Sequence, residues 1–140
     1  VNTAAVLETV GGLASQLKTY AAKLPAVVHL SVIPSGYRPR EEAVDDYEKA
    51  VARFRSQSSG TVFKALHEFF IESLEAFEAG KLLGSIQPLL AVLDHLERMQ
   101  RDKEIGDDRL DERRVLEYRT ALNKILPGNK PELDGAGRGM

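Results

Sequence analysis

TVFKALHEFFIESLEAFEAGKLLGSIQPLLAVLDHLERMQR, residues 61–101, is the stretch that decides the fold. Its large apolar side chains return every three or four positions: Val62, Leu66, Phe69, Phe70, Leu74 and Phe77, then Ile86, Leu89, Leu90, Leu93, Leu96 and Met99. This is the period of an α-helix with one side turned to a core. The spacing predicts two helices, from about Thr61 to Ala79 and from about Ser85 to Lys103, with Pro88 in the opening turn of the second. Each apolar arc spans roughly half the helix circumference, so each helix needs two neighbours, which puts this pair at the centre of a bundle. Gly80 and Gly84 shape the turn between them. They are not a phosphate-binding loop, because the Gly-Lys-Ser/Thr ending that positions a P-loop lysine and metal ligand is missing.

Outward from this pair, three further helices are legible. Val6, Val10, Leu13, Leu17, Tyr20 and Leu24 alternate steps of four and three along one seam from about Thr3 to Leu24. Gly11 and Gly12 interrupt that seam, each at a cost of roughly 1 kcal/mol against alanine, which marks a weak point or a close approach by another part of the chain. Ala43, Val44, Tyr47, Val51 and Phe54 give a helix from about Pro39 to Gln57, with proline suited to its first turn. Ser58, Ser59 and Gly60 end it, and Ser59 or Thr61 caps the next. Gly106 ends the fourth helix and Asp107 or Asp108 caps a fifth, whose inner face is Val115, Tyr118, Leu122, Ile125 and Leu126 before Pro127-Gly128 stops it. Residues 25–39 form an irregular connector punctuated by Pro25, Pro34 and Pro39. The fold expected is therefore all-α: a compact bundle of about five helices with a Pro-rich connector after the first. Residues 1–126 form one domain and 127–140 a disordered tail. No repeat of solenoid period occurs.

Composition removes several function classes. With 19 basic and 21 acidic residues among 140 the net charge is −2, which gives no general hold on a phosphate backbone. There is no cysteine, so thiolate metal sites, disulfides and thiol nucleophiles are absent. No apolar run is long enough to span a bilayer. The chain opens on Val1, which reads as a domain excised from a longer protein, and a soluble cytoplasmic or other intracellular setting is favoured.

Candidate chemistry is sparse. His29 has no acid nearby, and His95 projects to the solvent side beside Asp94 and Glu97. No Glu-x-x-His or His-x-x-x-His spacing occurs to build a metal site, so no metal or cofactor is expected. His67, with Phe63, Phe70, Ile71 and Leu74 around it on the helix surface, sits at the rim of the apolar arc, where burial lowers an imidazole pKa. Glu68, Glu72, Glu75 and Glu78 read as a solvated acidic face, with a basic partner surface as the functional alternative. From Glu97 to Arg119 charges of both signs are interspersed, which favours local pairing. Arg113 and Arg114 could still grip an anion in bidentate fashion. Ser56, Ser58 and Ser59 have no identifiable acid–histidine pair to make a nucleophile.

These features favour a non-enzymatic protein-interaction or assembly module, binding a protein partner or itself. Tyr20, Val27, Leu30, Ile33 and Tyr37 are its expected contact residues, since the low-charge first helix and the connector carry apolar surface that a small bundle does not wholly bury. The alternative is a regulatory or sensing bundle that holds a small apolar molecule between the third and fourth helices, lined by Phe63, His67, Phe70 and Phe77. An enzyme of unknown reaction ranks third.

Overall fold

In the computed structural model, residues 2–22, 39–106 and 108–125 are described. They form five α-helices and no strand: α1 (Thr3–Ala21), α2 (Glu41–Ser58), α3 (His67–Glu78), α4 (Leu82–Arg101) and α5 (Glu112–Ile125). The all-α bundle read from the hydrophobic period is the fold observed. Residues 23–38 and 126–140 lie outside the described residues, as do most of the connector and the whole expected tail.

The helix boundaries differ from expectation for local reasons. The third segment opens as a 3-10 turn, Val62–Leu66, before the α-helix begins at His67. Thr61 starts that turn, its hydroxyl accepting from the Phe63 N–H at 3.2 Å and donating to the Ser58 carbonyl at 2.7 Å. Helix α4 begins at Leu82, a turn earlier than the proline suggested, so Pro88 lies in the second turn and the N–H bond to Gly84 is missing there. Helix α2 begins at Glu41, leaving Pro39 in the lead-in.

Two helix ends close in the same way with different residues. After α3, Lys81 N–H bonds the Ala76 carbonyl at 2.7 Å and Gly80 N–H bonds Phe77 at 3.0 Å, with Gly80 at φ 76°. This is a Schellman motif, and glycine takes its left-handed position without steric cost. After α4 the pattern repeats, Glu104 N–H to Met99 at 2.8 Å and Lys103 N–H to Gln100 at 3.1 Å, but the left-handed residue is Lys103 at φ 60°.

Helix α4 packs on α3, α1 and α5, and α1 packs on α2, α4 and α5. The centre is therefore shared by α4 and α1, where the width of the arcs had suggested α3 and α4. The reason is a third row on α1: Leu7 and Ala14 are buried beside the seam of Val6, Val10, Leu13, Leu17 and Tyr20, so this helix too meets three neighbours. Gly11 lies on its α5 side. A methyl group there would stand 2.8 Å from Cζ and Oη of Tyr118, so the glycine leaves room for an aromatic ring.

The α2–α3–α4 contact contains a buried polar chain. Ser73 Oγ donates to the Ser85 carbonyl at 2.7 Å, and Ser85 Oγ donates to the Ser73 carbonyl at 3.2 Å. Because the Ser73 proton is used in that bond, the Tyr47 hydroxyl is the donor in its own short hydrogen bond to Ser73 Oγ. Burial pushes the Tyr47 phenol well above its ordinary pKa, the Ser73 bond pulling weakly the other way. Small residues continue this interface: a methyl at Gly84 would stand 3.1 Å from Cβ of Ala76. At this level α3 and α4 are too close to admit a ligand.

The long charged hairpin after α4 is tied down at its apex. Ile105 and Leu110 are buried, and Leu110 N–H bonds Oε1 of Gln100 at 2.8 Å. Asp108 does not cap α5. Its carboxylate reaches the start of α1, accepting from Thr3 N–H at 2.8 Å and from Thr3 Oγ1 at 2.9 Å. Asn2 takes the Ala5 N–H at 2.9 Å, so two of the free donors of that helix end are satisfied by different side chains. Helix α5 is capped instead by Asp111, whose Oδ1 accepts from Arg114 N–H at 3.2 Å.

Candidate functional site

The aromatic residues expected to line a ligand cavity between α3 and α4 are core side chains. Phe63, Phe70 and Phe77 are all buried. Phe70 packs on Phe54 at 4.6 Å between ring centroids and Phe77 stacks on Tyr47 at 4.5 Å, so these two rings turn toward α2. Tyr20 is also consumed by the core, 7% exposed, with its ring edge on Phe77 at 5.6 Å. Its burial removes it as a free contact surface. The other expected contact residues, Val27, Leu30, Ile33 and Tyr37, lie outside the described residues.

His67 separates from the three phenylalanines. It is half-buried and lines an open groove where α2 ends and α3 begins, together with Ala52, Arg55, Ser56, Ser58, Ser59, Thr61, Val62, Lys64, Ala65 and Glu68. The local sequence explains why the groove exists. Ser58 is buried and turns its hydroxyl back to the Arg55 carbonyl at 3.4 Å, Gly60 takes φ 79°, and the 3-10 turn begins at Val62. A 3-10 turn winds more tightly than an α-helix. The side chains of Lys64 and Ala65 are exposed there, and Val62, 42% exposed, is one of the few large apolar residues left at the surface.

The polar lining is rich in donors. Among the described residues Arg55 and Lys64 form no ion pair, and the hydroxyls of Ser56 and Ser59 have no hydrogen-bond partner. The imidazole of His67 is held below its ordinary pKa, first by burial and then by the positive charge of Arg55, with Glu68 acting in the opposite direction. Among the described residues Glu68 is the one carboxylate in the lining.

The remaining charged candidates serve the fold or face water. Arg119 on α5 bridges to α4, donating from Nη1 to Asp94 and from Nη2 to Glu97, each at 2.6 Å. Arg113 makes an exposed i,i+4 pair with Glu117 at 3.7 Å, and Arg114 donates to the Tyr118 hydroxyl at 3.0 Å, so these two arginines point to different partners. Glu68, Glu72, Glu75 and Glu78 are all exposed and without ion pairs among the described residues, as a solvated face requires. His95, expected on the solvent side of its helix, is half-buried and lies against Phe69 with 4.8 Å between ring centroids and the two planes tilted by 49°. No group of three or more His, Asp or Glu side chains that could hold a metal occurs among the described residues. The chain matches no protein-family model, no curated protein and no solved structure.

Proposed function

We propose that this chain is a non-enzymatic protein-interaction or assembly module and that the groove at the α2–α3 junction belongs to its contact face. The observation that carries this reading is the combination in one concave surface of an exposed apolar side chain, Val62, with charged and hydroxyl groups that the fold leaves unused. Most other apolar and aromatic side chains among the described residues are taken up by the core, Leu116 on α5 being the other large one left exposed. Interfaces of this kind join an apolar centre to a polar rim. No described helix is long and apolar enough to cross a membrane, and a soluble, intracellular setting is part of the proposal.

A photo-reactive phenylalanine analogue placed at Val62, with Thr120 on the exposed side of α5 as control, tests the assignment. Irradiation in an extract of the source cells should give a discrete adduct from position 62 and none from position 120. An adduct of twice the chain mass of 15.4 kDa, together with a molar mass that rises with concentration in light scattering, would identify self-assembly. Equal labelling at both positions, or none at position 62, would reject this face.

A further inference from the structure

We infer that the groove at the α2–α3 junction recognises a phosphomonoester, with Arg55, Lys64 and His67 holding the anion and the hydroxyls of Ser56 and Ser59 supplying further hydrogen bonds. The inference rests on the reading of this groove as a contact face and deepens it by naming what is recognised.

The chemistry of the lining favours an acceptor-rich ligand. A guanidinium fork, an ammonium, an imidazole and two unpartnered hydroxyls border the same concave surface, and among the described residues Glu68 is the one carboxylate with them. A phosphomonoester dianion brings three strong acceptor oxygens to such a set of donors, where a carboxylate brings two. Charge agrees with this choice. Arg55 and Lys64 against Glu68 leave one positive charge, and protonation of His67 makes two. Among the described residues, Arg55 on α2, Lys64 on the 3-10 turn and Glu68 on α3 are the charged groups that border His67 in the groove. Burial and Arg55 oppose protonation of the imidazole, so an anion seated between Arg55 and His67 relieves the second of these and makes binding and proton uptake cooperative. Val62 and Ala65 give the groove an apolar flank for whatever carries the phosphate.

Two sources share this chemistry, a phosphorylated side chain of a partner and a small free phosphate, and NMR titration of the whole chain separates them. In a phosphate-free buffer at pH 6.5, inorganic phosphate, a phosphoserine peptide and the same peptide with glutamate in place of phosphoserine are added in turn. The expected result is saturable shifts centred on Ser59, Lys64 and His67, with an upward move of the His67 pKa. Arg55→Gln and Lys64→Gln, both surface changes checked for native circular dichroism, should each weaken binding by roughly tenfold, the worth of one lost charge-assisted hydrogen bond. A peptide that binds more tightly than inorganic phosphate assigns the anion to a protein partner, and equal affinity assigns it to a free phosphate. Shifts that sodium chloride reproduces, affinity unchanged in both variants, or a glutamate peptide that binds equally well would overturn the proposal. Retention of the cross-link at position 62 without phosphate binding would sink this inference and leave the contact face standing.

Discussion

Lys103 occupies a backbone position that suits glycine. At φ 60° its Cβ crowds the adjoining carbonyl, a cost of roughly 1–2 kcal/mol for an L-residue, and the two Schellman hydrogen bonds after α4 hold it there. Lys103→Gly should therefore raise stability by about 1 kcal/mol in chemical denaturation, part of the gain being offset by the greater freedom of glycine in the unfolded chain. A loss of stability would mean that the lysine side chain contributes more than its backbone costs. His67 gives a second test. Its folded pKa lies below the unfolded reference of 6.5 because burial and Arg55 disfavour the charged ring. Between those two values the unfolded chain binds the proton and the native chain does not, so stability falls as pH drops through about 6.5 and levels off below the folded value. In phosphate-free buffer, His67→Gln should flatten this dependence, and an NMR pKa at or above 6.5 in the native protein would contradict it.

At the scale of elements, the joint between α1 and the α4–α5 hairpin depends on one carboxylate. Asp108 satisfies the Thr3 N–H and hydroxyl at the positive end of α1, where a negative charge also meets the helix dipole. Asp108→Ala should cost about 1–2 kcal/mol and speed amide hydrogen exchange in the first turn of α1 ahead of the rest of that helix. Unchanged exchange there would show that Asn2 alone caps it. The α3–α4 pair is joined differently, through reciprocal serine hydroxyl-to-carbonyl bonds and the close approach at Gly84, and Tyr47 ties α2 to the same point. Buried hydroxyls of this kind fix which helices are neighbours, since any other pairing leaves them without partners.

For the whole molecule, stability rests on one continuous core to which all five helices contribute. Leu93 is completely buried on α4, which packs on α3, α1 and α5. Leu93→Ala should cost about 2–5 kcal/mol, since the surrounding helices close such a cavity only in part. A loss below about 1 kcal/mol in urea denaturation would place Leu93 at the margin of the core.

The helical class, the number of helices and most of the core residues were legible in the sequence, because a hydrophobic period of 3.6 residues is a local property that each segment carries by itself. Local turn chemistry was legible as well at Gly80, which has positive φ; Gly106 has positive φ too, but it does not end α4 as expected, since that helix stops at Arg101 and is closed at Lys103. The partners of polar residues were not. Asp108 read as the cap of the helix next to it in sequence, yet it caps one 105 residues away, and Ser73 and Ser85 gave no sign beyond being polar residues on apolar faces. The phenylalanines of α3 were visible as large and apolar, but whether they line a cavity or fill a core depends on how near the neighbouring helix comes, which Gly84 and Ala76 decide together. The groove belongs to the same category. Arg55, Lys64 and His67 lie within a short span of sequence, but only the break between α2 and the 3-10 turn brings their side chains round one concave surface. Periodicity determines which residues face inward; the packing of segments distant in the chain determines what the inward and outward groups meet.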